Sequence, residues 1–209
     1  MGSRRLIDRG TVVAAALLVV RADGLAALTL RRLADDLGVT AAALYRHVRD
    51  KDELVSLLGD ALFEQVELPT PADGDWAEQL AIIARRTRTV LADYPGLGLY
   101  VVDSMRIFPS ANALRLADAS LRLLLEAGFD PKTAATAQFA LRHFASAGLP
   151  VDPSLRAAVM SVPVNGFESL YAVGPFLSPE DADAGFEFGL RCFLTALRIE
   201  AGSASSAKP

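Results

Sequence analysis

The segment TLRRLADDLGVTAAALYRHVRDK, residues 29–51, constrains the fold of this chain more than any other. Its first part places apolar residues at helical spacing on one side, and Gly38 then favours the left-handed conformation that ends a helix. Thr40 offers a side-chain oxygen that can cap a second helix. The residues of this second helix that are expected to face inward are Ala41, Leu44 and Val48. Two helices joined by a short glycine-containing turn form a helix-turn-helix motif, which the sequence predicts over residues 29–48.

The outer face of the second predicted helix carries side chains suited to nucleic acid. Small residues at its start let the backbone approach base edges closely. Arg46 can donate to guanine acceptors or to a phosphate, and Tyr45, His47 and Lys51 can donate to phosphate oxygens. An ordinary helical corner with a solvated polar face is the alternative for an isolated motif of this kind.

A further helix is predicted directly after the motif. Asp50 and Glu53 have the spacing of a capping box. The apolar stripe that follows consists of Leu54, Leu57, Leu58, Ala61 and Leu62. Residues 1–51 also hold nine basic and five acidic side chains, whereas the remainder holds twelve and twenty. A basic head on an acidic body favours DNA contact at one end of the molecule.

Residues 1–67 resemble the DNA-binding domain of the TetR family of transcriptional regulators. The resemblance rests on TVVAAALLVVRADGLAALT, LRRLADDLGVTAAALYRHVRDKDEL and VSLLGDALFEQV. It implies that the DNA-contacting positions are Thr29, Arg31, Ala41, Ala42, Ala43, Tyr45, Arg46, His47 and Lys51, and Thr40 is predicted to share this surface. The alanines at 41–43 replace more polar family residues, so a different operator sequence is expected.

Composition predicts an all-α fold. The chain is 52% hydrophobic and rich in alanine and leucine, and no segment alternates with period two for long enough to indicate a sheet. We expect a helix-turn-helix DNA-binding domain, the three-helix head, at 1–67, a helical effector-binding and dimerisation domain at 68–202, and a disordered tail at 203–209.

The apolar run Val12–Val20 resembles a secretory signal peptide, but nearby charges and its helical spacing favour the first helix of the head. No segment approaches the ~20 apolar residues of a membrane span. A cytoplasmic protein without a membrane partner is therefore expected.

Small residues recur at helical spacing in the last two long helices. Such a surface allows another backbone to come close. In the family the corresponding helices form a four-helix dimer interface, and packing within one subunit is the alternative. The predicted interface residues are Ala137, Ala140, Gly185, Gly189, Cys192 and Ala196.

A small apolar or aromatic effector is expected to bind inside the C-terminal domain. Large or soft residues near helix ends are the candidate linings, with core packing as the alternative for each one. They are Met105, Phe108, Phe139, His143, Phe144, Met160, Phe167 and Tyr171. His143 could supply a hydrogen-bonding group in an otherwise apolar cavity.

No pattern in the chain favours an enzyme. It has no nucleophile elbow, no phosphate-binding glycine loop and no cluster at metal-ligand spacing, so neither a cofactor nor a metal is expected. The expected function is a ligand-responsive repressor that binds a palindromic operator as a homodimer and is released by its effector. The alternative is a helical carrier of apolar ligands that keeps a vestigial DNA head.

Overall fold

The computed structural model describes residues 7–104, 110–146, 161, 166–176 and 181–206. Over these residues the chain forms helices and short turns without any strand, which confirms the all-α class. In chain order, the helices are α1 Arg9–Asp23, α2 Leu30–Leu37, α3 Ala41–Leu44, α4 Lys51–Glu64, α5 Trp76–Ala92, α6 Leu97–Ser104, α7 Ala111–Glu126, α8 Pro131–Ser146, α9 Glu168–Val173 and α10 Asp181–Ser206.

The turn between α2 and α3 has the predicted geometry. Gly38 follows α2 with φ of 66°, in the left-handed region. Thr29 and Thr40 directly precede α2 and α3, and each hydroxyl oxygen accepts a hydrogen bond from the backbone N–H three residues later, at 3.1 and 3.2 Å. These contacts satisfy backbone donors that have no partner within the helix. The helix-turn-helix is therefore set by local sequence signals.

The second helix of the motif is shorter than predicted. α3 spans Ala41–Leu44 and continues as a turn through residues 45–47. Leu44 and Val48 are buried as expected. Ala41 is exposed, so the expectation that it faces inward is wrong. One helical turn brings only one of its side chains into the core.

Half of the predicted capping box begins α4. The Asp50 carboxylate accepts a hydrogen bond from the Glu53 N–H at 2.8 Å. The Glu53 side chain accepts from the Arg49 N–H at 2.7 Å rather than from Asp50, and it also pairs with Arg9. The Glu53 N–H, followed by Arg49, holds the pKa of the Asp50 carboxyl below its ordinary value.

The head and the body share one hydrophobic core. Buried side chains of α1 to α4 pack in a cluster that also contains Leu91 of α5, Leu97 and Val101 of α6, and Leu116 of α7. α4 supplies many of the buried residues of this cluster, and Gly59 of α4 lies against Val101. The head is therefore closed by residues that follow it in the chain.

Polar contacts fix the far end of α4 to α7. The Asp60 carboxylate accepts a hydrogen bond from the Ser110 hydroxyl at the start of α7. The guanidinium of Arg115 donates to the carbonyl oxygens of Phe63 and Val66, at 2.8 and 3.0 Å. These carbonyls lie at or just beyond the C-terminal end of α4, and that of Phe63 also accepts a hydrogen bond from the Val66 N–H at 3.1 Å. Arg115 therefore caps the end of α4 from a neighbouring helix.

A second core holds the C-terminal helices together. It consists of buried side chains of α5, α7, α8 and α10, including Leu80, Phe186 and Leu190. α10 continues to Ser206, so the expected disorder of residues 203–206 is wrong, while residues 207–209 lie outside the described part. No helix among the described residues is long and apolar enough to cross a membrane.

Candidate nucleic-acid interface and ligand cavity

α3 and the turn that follows it carry most of the predicted DNA-contacting residues. Ala41 and Ala42 are exposed, Tyr45 is 54% exposed and Arg46 is exposed in the turn that follows. Arg31 is exposed on α2, and Ala43 and His47 are partly buried. Because the side chains at the start of α3 are small, those of Tyr45 and Arg46 extend furthest from this surface.

Arg31 and Arg46 are free to contact phosphates. Neither makes an ion pair with any residue that the structure describes. By contrast, Arg32 pairs with Asp23 at 2.5 Å. Its pKa is raised, first by the hydrogen bond to Asp23. Arg32 therefore links α2 to α1, whereas Arg31 and Arg46 are available to contact DNA.

Lys51 and the capping threonines have contacts inside the protein. The Lys51 ammonium donates to the carbonyl oxygen of Leu25 at 3.3 Å, which ties the start of α4 to the turn before α2. Sequence reasoning missed this contact because it joins residues 26 positions apart. The hydroxyl oxygens of Thr29 and Thr40 accept backbone hydrogen bonds, so their hydroxyl hydrogens stay available to a phosphate.

A small cavity lies where α4, α5, α7 and α8 meet. Its volume is about 60 Å³. Ligand pockets are usually about 300–1,000 Å³, and a benzene-binding cavity is about 150 Å³. Among the described lining residues, most are apolar and four are polar. They are Phe63, Ile83, Ala84, Thr87, Ala113, Leu116, Ala117, Ser120, Gln138, Leu141, Arg142 and Ala145.

None of the predicted effector-binding residues that the structure describes lines this cavity. Phe139 is 56% exposed and His143 is exposed. Their rings lie 4.2 Å apart, and His143 Nδ1 lies 2.8 Å from the Phe139 carbonyl oxygen. α8 turns Gln138 and Leu141 toward the cavity instead. The interior position expected for Phe139 and His143 is therefore wrong, because the opposite face of α8 faces inward.

The other predicted effector residues are dispersed. Phe144 stacks on Phe186 of α10, with ring centroids 5.1 Å apart, as in the core-packing alternative. Phe167, just before α9, is 51% exposed, and Tyr171 within α9 is partly buried. Met105, Phe108 and Met160 lie outside the described residues.

The predicted dimer stripe divides into an inner and an outer set. A Cβ atom on Gly189 would lie 2.5 Å from Phe144 Cζ of the same chain. Ala137 is also buried within the chain, so the structure places these two residues inside the subunit. Both lie on the sides of α8 and α10 that pack within the C-terminal domain. The residues that remain exposed are Ala140, Gly185, Cys192 and Ala196.

Two family models match this chain. The model of the tetracyclin repressor-like C-terminal domain matches residues 68–200, and that of the bacterial regulatory proteins of the tetR family matches residues 12–58. Tetracycline repressor protein class A from transposon 1721 of Escherichia coli is 31% identical over 217 residues, which cover 91% of this chain and 90% of that protein.

Two further relatives come from Saccharopolyspora erythraea and Streptomyces coelicolor. A helix-turn-helix transcriptional regulator of Saccharopolyspora erythraea is 32% identical over 127 residues, 61% of this chain and 53% of that protein. The solved structure of the Streptomyces coelicolor TetR family protein ActR in complex with actinorhodin is 30% identical. It has a TM-score of 0.77 and covers 94% of this chain and 99% of that one. This chain belongs to the TetR family of ligand-responsive transcriptional regulators.

Proposed function

We propose that the chain is a repressor that binds a palindromic operator as a homodimer and leaves DNA when a small apolar or aromatic effector enters the cavity. Two identical heads can read two half-sites at a fixed spacing, which a single head cannot do. The exposed arginines and tyrosine of the helix-turn-helix support the DNA contact. The ActR complex with actinorhodin supports a small-molecule effector by analogy.

The position of α4 between the cavity and the head supports the proposed release from DNA. Phe63 of α4 lines the cavity, while the other end of α4 holds the head through Lys51 and the shared core. The cavity, at about 60 Å³, is much smaller than a usual ligand pocket, so an effector of ordinary size should displace part of the wall on binding. A displacement of the Phe63 side of α4 would change the orientation of the head, and a dimer reads half-site spacing strictly.

The coupling between effector and DNA is limited by the effector's difference in affinity for the two orientations. Typical couplings are about 1–3 kcal/mol, which corresponds to about 5–150-fold in DNA affinity. Arg115 and Asp60 hold the end of α4 to α7, so α4 and α7 should move together. This arrangement would transmit a change in the cavity wall without melting α4.

The DNA contact can be tested with duplexes selected from a random pool by the purified protein. Arg46→Ala should weaken binding to the selected duplex by about 1–3 kcal/mol and relax base preference. Arg122→Ala is the matched control, because Arg122 is exposed near the C-terminal end of α7. Equal effects of the two substitutions in fluorescence anisotropy would contradict the proposal.

Lys51→Ala separates a phosphate contact from a structural one. If Lys51 contacts a phosphate, Lys51→Ala should weaken binding to all DNA sequences alike. It should also reduce the slope of the logarithm of the binding constant against the logarithm of the salt concentration by about one. If its hydrogen bond to Leu25 is its main contribution, the melting temperature falls and the salt slope stays unchanged. Salt titrations of selected and unrelated duplexes distinguish these results.

A further inference from the structure

Arg142 gives the cavity a polar end. Its Nε atom is buried and has no hydrogen-bond acceptor among the residues that the structure describes. Among the described residues, Arg142 makes no ion pair, and its guanidinium carbon lies 5.0 Å from the centre of the Phe139 ring. Gln138, one helical turn earlier on α8, also lines the cavity.

Other arginines of the same domain are paired with carboxylates. Arg85 donates to both carboxylate oxygens of Glu187, at 2.7 Å each, and Arg198 pairs with Asp75 at 2.6 Å. A buried N–H of a charged group without an acceptor is unfavourable, because it has lost its water and gained nothing in exchange. A ligand atom that accepts a hydrogen bond from Arg142 Nε would therefore remove this cost.

We infer that the effector is an organic anion, with a carboxylate, sulfonate or phenolate group on an apolar ring system. The anionic oxygen would accept from Arg142 Nε, and the Gln138 amide could supply a second donor. The ring system would lie against the apolar wall that includes Phe63, Leu116 and Leu141. This inference rests on the proposed function, because it names the chemistry of the molecule that would enter the cavity.

The composition of the wall decides between classes of ligand. A cation would be repelled by the guanidinium, and a neutral hydrocarbon would leave Nε without an acceptor. A small inorganic anion would leave the apolar wall without a partner. A charge-assisted hydrogen bond is stronger than a neutral one, so the anionic group should dominate discrimination between molecules of the same shape.

Two fluorescent probes test this inference. 1-Anilinonaphthalene-8-sulfonate and N-phenyl-1-naphthylamine share a ring system, and only the first carries an anionic group. Arg142→Met keeps an unbranched apolar side chain but removes the charge. We expect it to weaken sulfonate binding about tenfold, or about 1.4 kcal/mol, and to change binding of the neutral probe less than twofold.

Ala117→Leu locates the site. Ala117 lines the cavity, so a larger side chain should weaken binding of both probes. Thermal melting of each variant checks that it is folded. The inference is overturned if Arg142→Met affects both probes equally or neither, if the wild type binds neither saturably, or if Ala117→Leu leaves sulfonate binding unchanged.

DNA affinity, measured separately, distinguishes this inference from the proposed function. Sulfonate binding that depends on Arg142 but leaves DNA affinity unchanged would support the anion site and contradict effector-driven release. An anionic probe that lowers the affinity of wild-type protein for the selected duplex, but not that of Arg142→Met, would support both.

Discussion

Gly59→Ala is expected to destabilise the protein although alanine is the better helix former. Gly59 is buried in α4, and a Cβ atom there would lie 2.6 Å from Val101 Cγ1 and 3.2 Å from Val101 Cγ2. Val101 is fully buried in α6, and a β-branched side chain has few rotamers with which to move away. The added methyl group must therefore separate α4 from α6.

The magnitude follows from two opposing effects. Alanine is favoured over glycine inside a helix by about 1 kcal/mol. Overpacking a well-packed core costs about 1–3 kcal/mol. The free energy of unfolding should therefore fall by about 1 kcal/mol, within a range of about 0–2 kcal/mol.

A double-mutant cycle isolates the contact. Val101→Ala alone should cost about 2 kcal/mol, from two lost methyl groups and the space they leave. The double variant has room for the new methyl group, so it should be about 1–3 kcal/mol more stable than the sum of the two changes. Urea unfolding followed by circular dichroism measures all four proteins, at one protein concentration because assembly affects the midpoint.

The result that would refute this reasoning is a more stable Gly59→Ala protein with a coupling energy below about 0.5 kcal/mol. It would mean that α4 and α6 are not in close contact in solution. A change in the urea m value would instead indicate a change in the denatured state or a loss of two-state unfolding.

Three further changes test other contacts. Gly189→Leu should displace Phe144 within the subunit and lower the free energy of unfolding by about 1–3 kcal/mol. Sedimentation velocity should still show a dimer. Monomers of unchanged stability would contradict the contact between Gly189 and Phe144 within the subunit. Ala196→Glu places a charge on the exposed face of α10 and should yield monomers, and an unchanged dimer would exclude that face as the interface. Asp75→Asn removes an ionised carboxylate whose pKa is lowered, first by the hydrogen bond from Arg198, from the ordinary value of 3.8. An ionised group of this kind stabilises the fold above its unfolded pKa, so the urea midpoint of Asp75→Asn should be lower than that of wild type at pH 7. The difference should vanish as the pH falls through the lowered pKa of Asp75. A difference that persists in acid would argue against the contact with Arg198.

Local signals made much of the fold predictable from sequence. Thr29, Gly38 and Thr40 act within three residues of their own positions, so their effect does not depend on the rest of the molecule. Asp130 similarly caps α8 by accepting from the Lys132 N–H at 2.9 Å, as its place before Pro131 predicts.

The cavity could not be located in the same way. Phe139 and Leu141 are two residues apart on α8, yet one is exposed and the other lines the cavity. The large size of Phe139 therefore predicted the wrong face of α8 as the cavity wall. The rotation of α8 about its own axis is set by packing against α5, α7 and α10. Gln138 and Arg142, one helical turn apart, place polar side chains on the same face of α8 as Leu141. This mixture of polar and apolar residues could have indicated a ligand-binding face from the sequence.

The shared core limits how modular this protein can be. Leu91, Leu97, Val101 and Leu116 complete the hydrophobic interior of the head from outside residues 1–67. A fragment that ends after α4 would expose the surface these four side chains cover, and it should aggregate or melt at a lower temperature. A chimaera that joins this head to the body of a relative should fold only if that body offers side chains of similar volume at the four positions. Exchange of operator specificity is thus simpler by grafting the exposed residues of α3 than by exchanging whole heads.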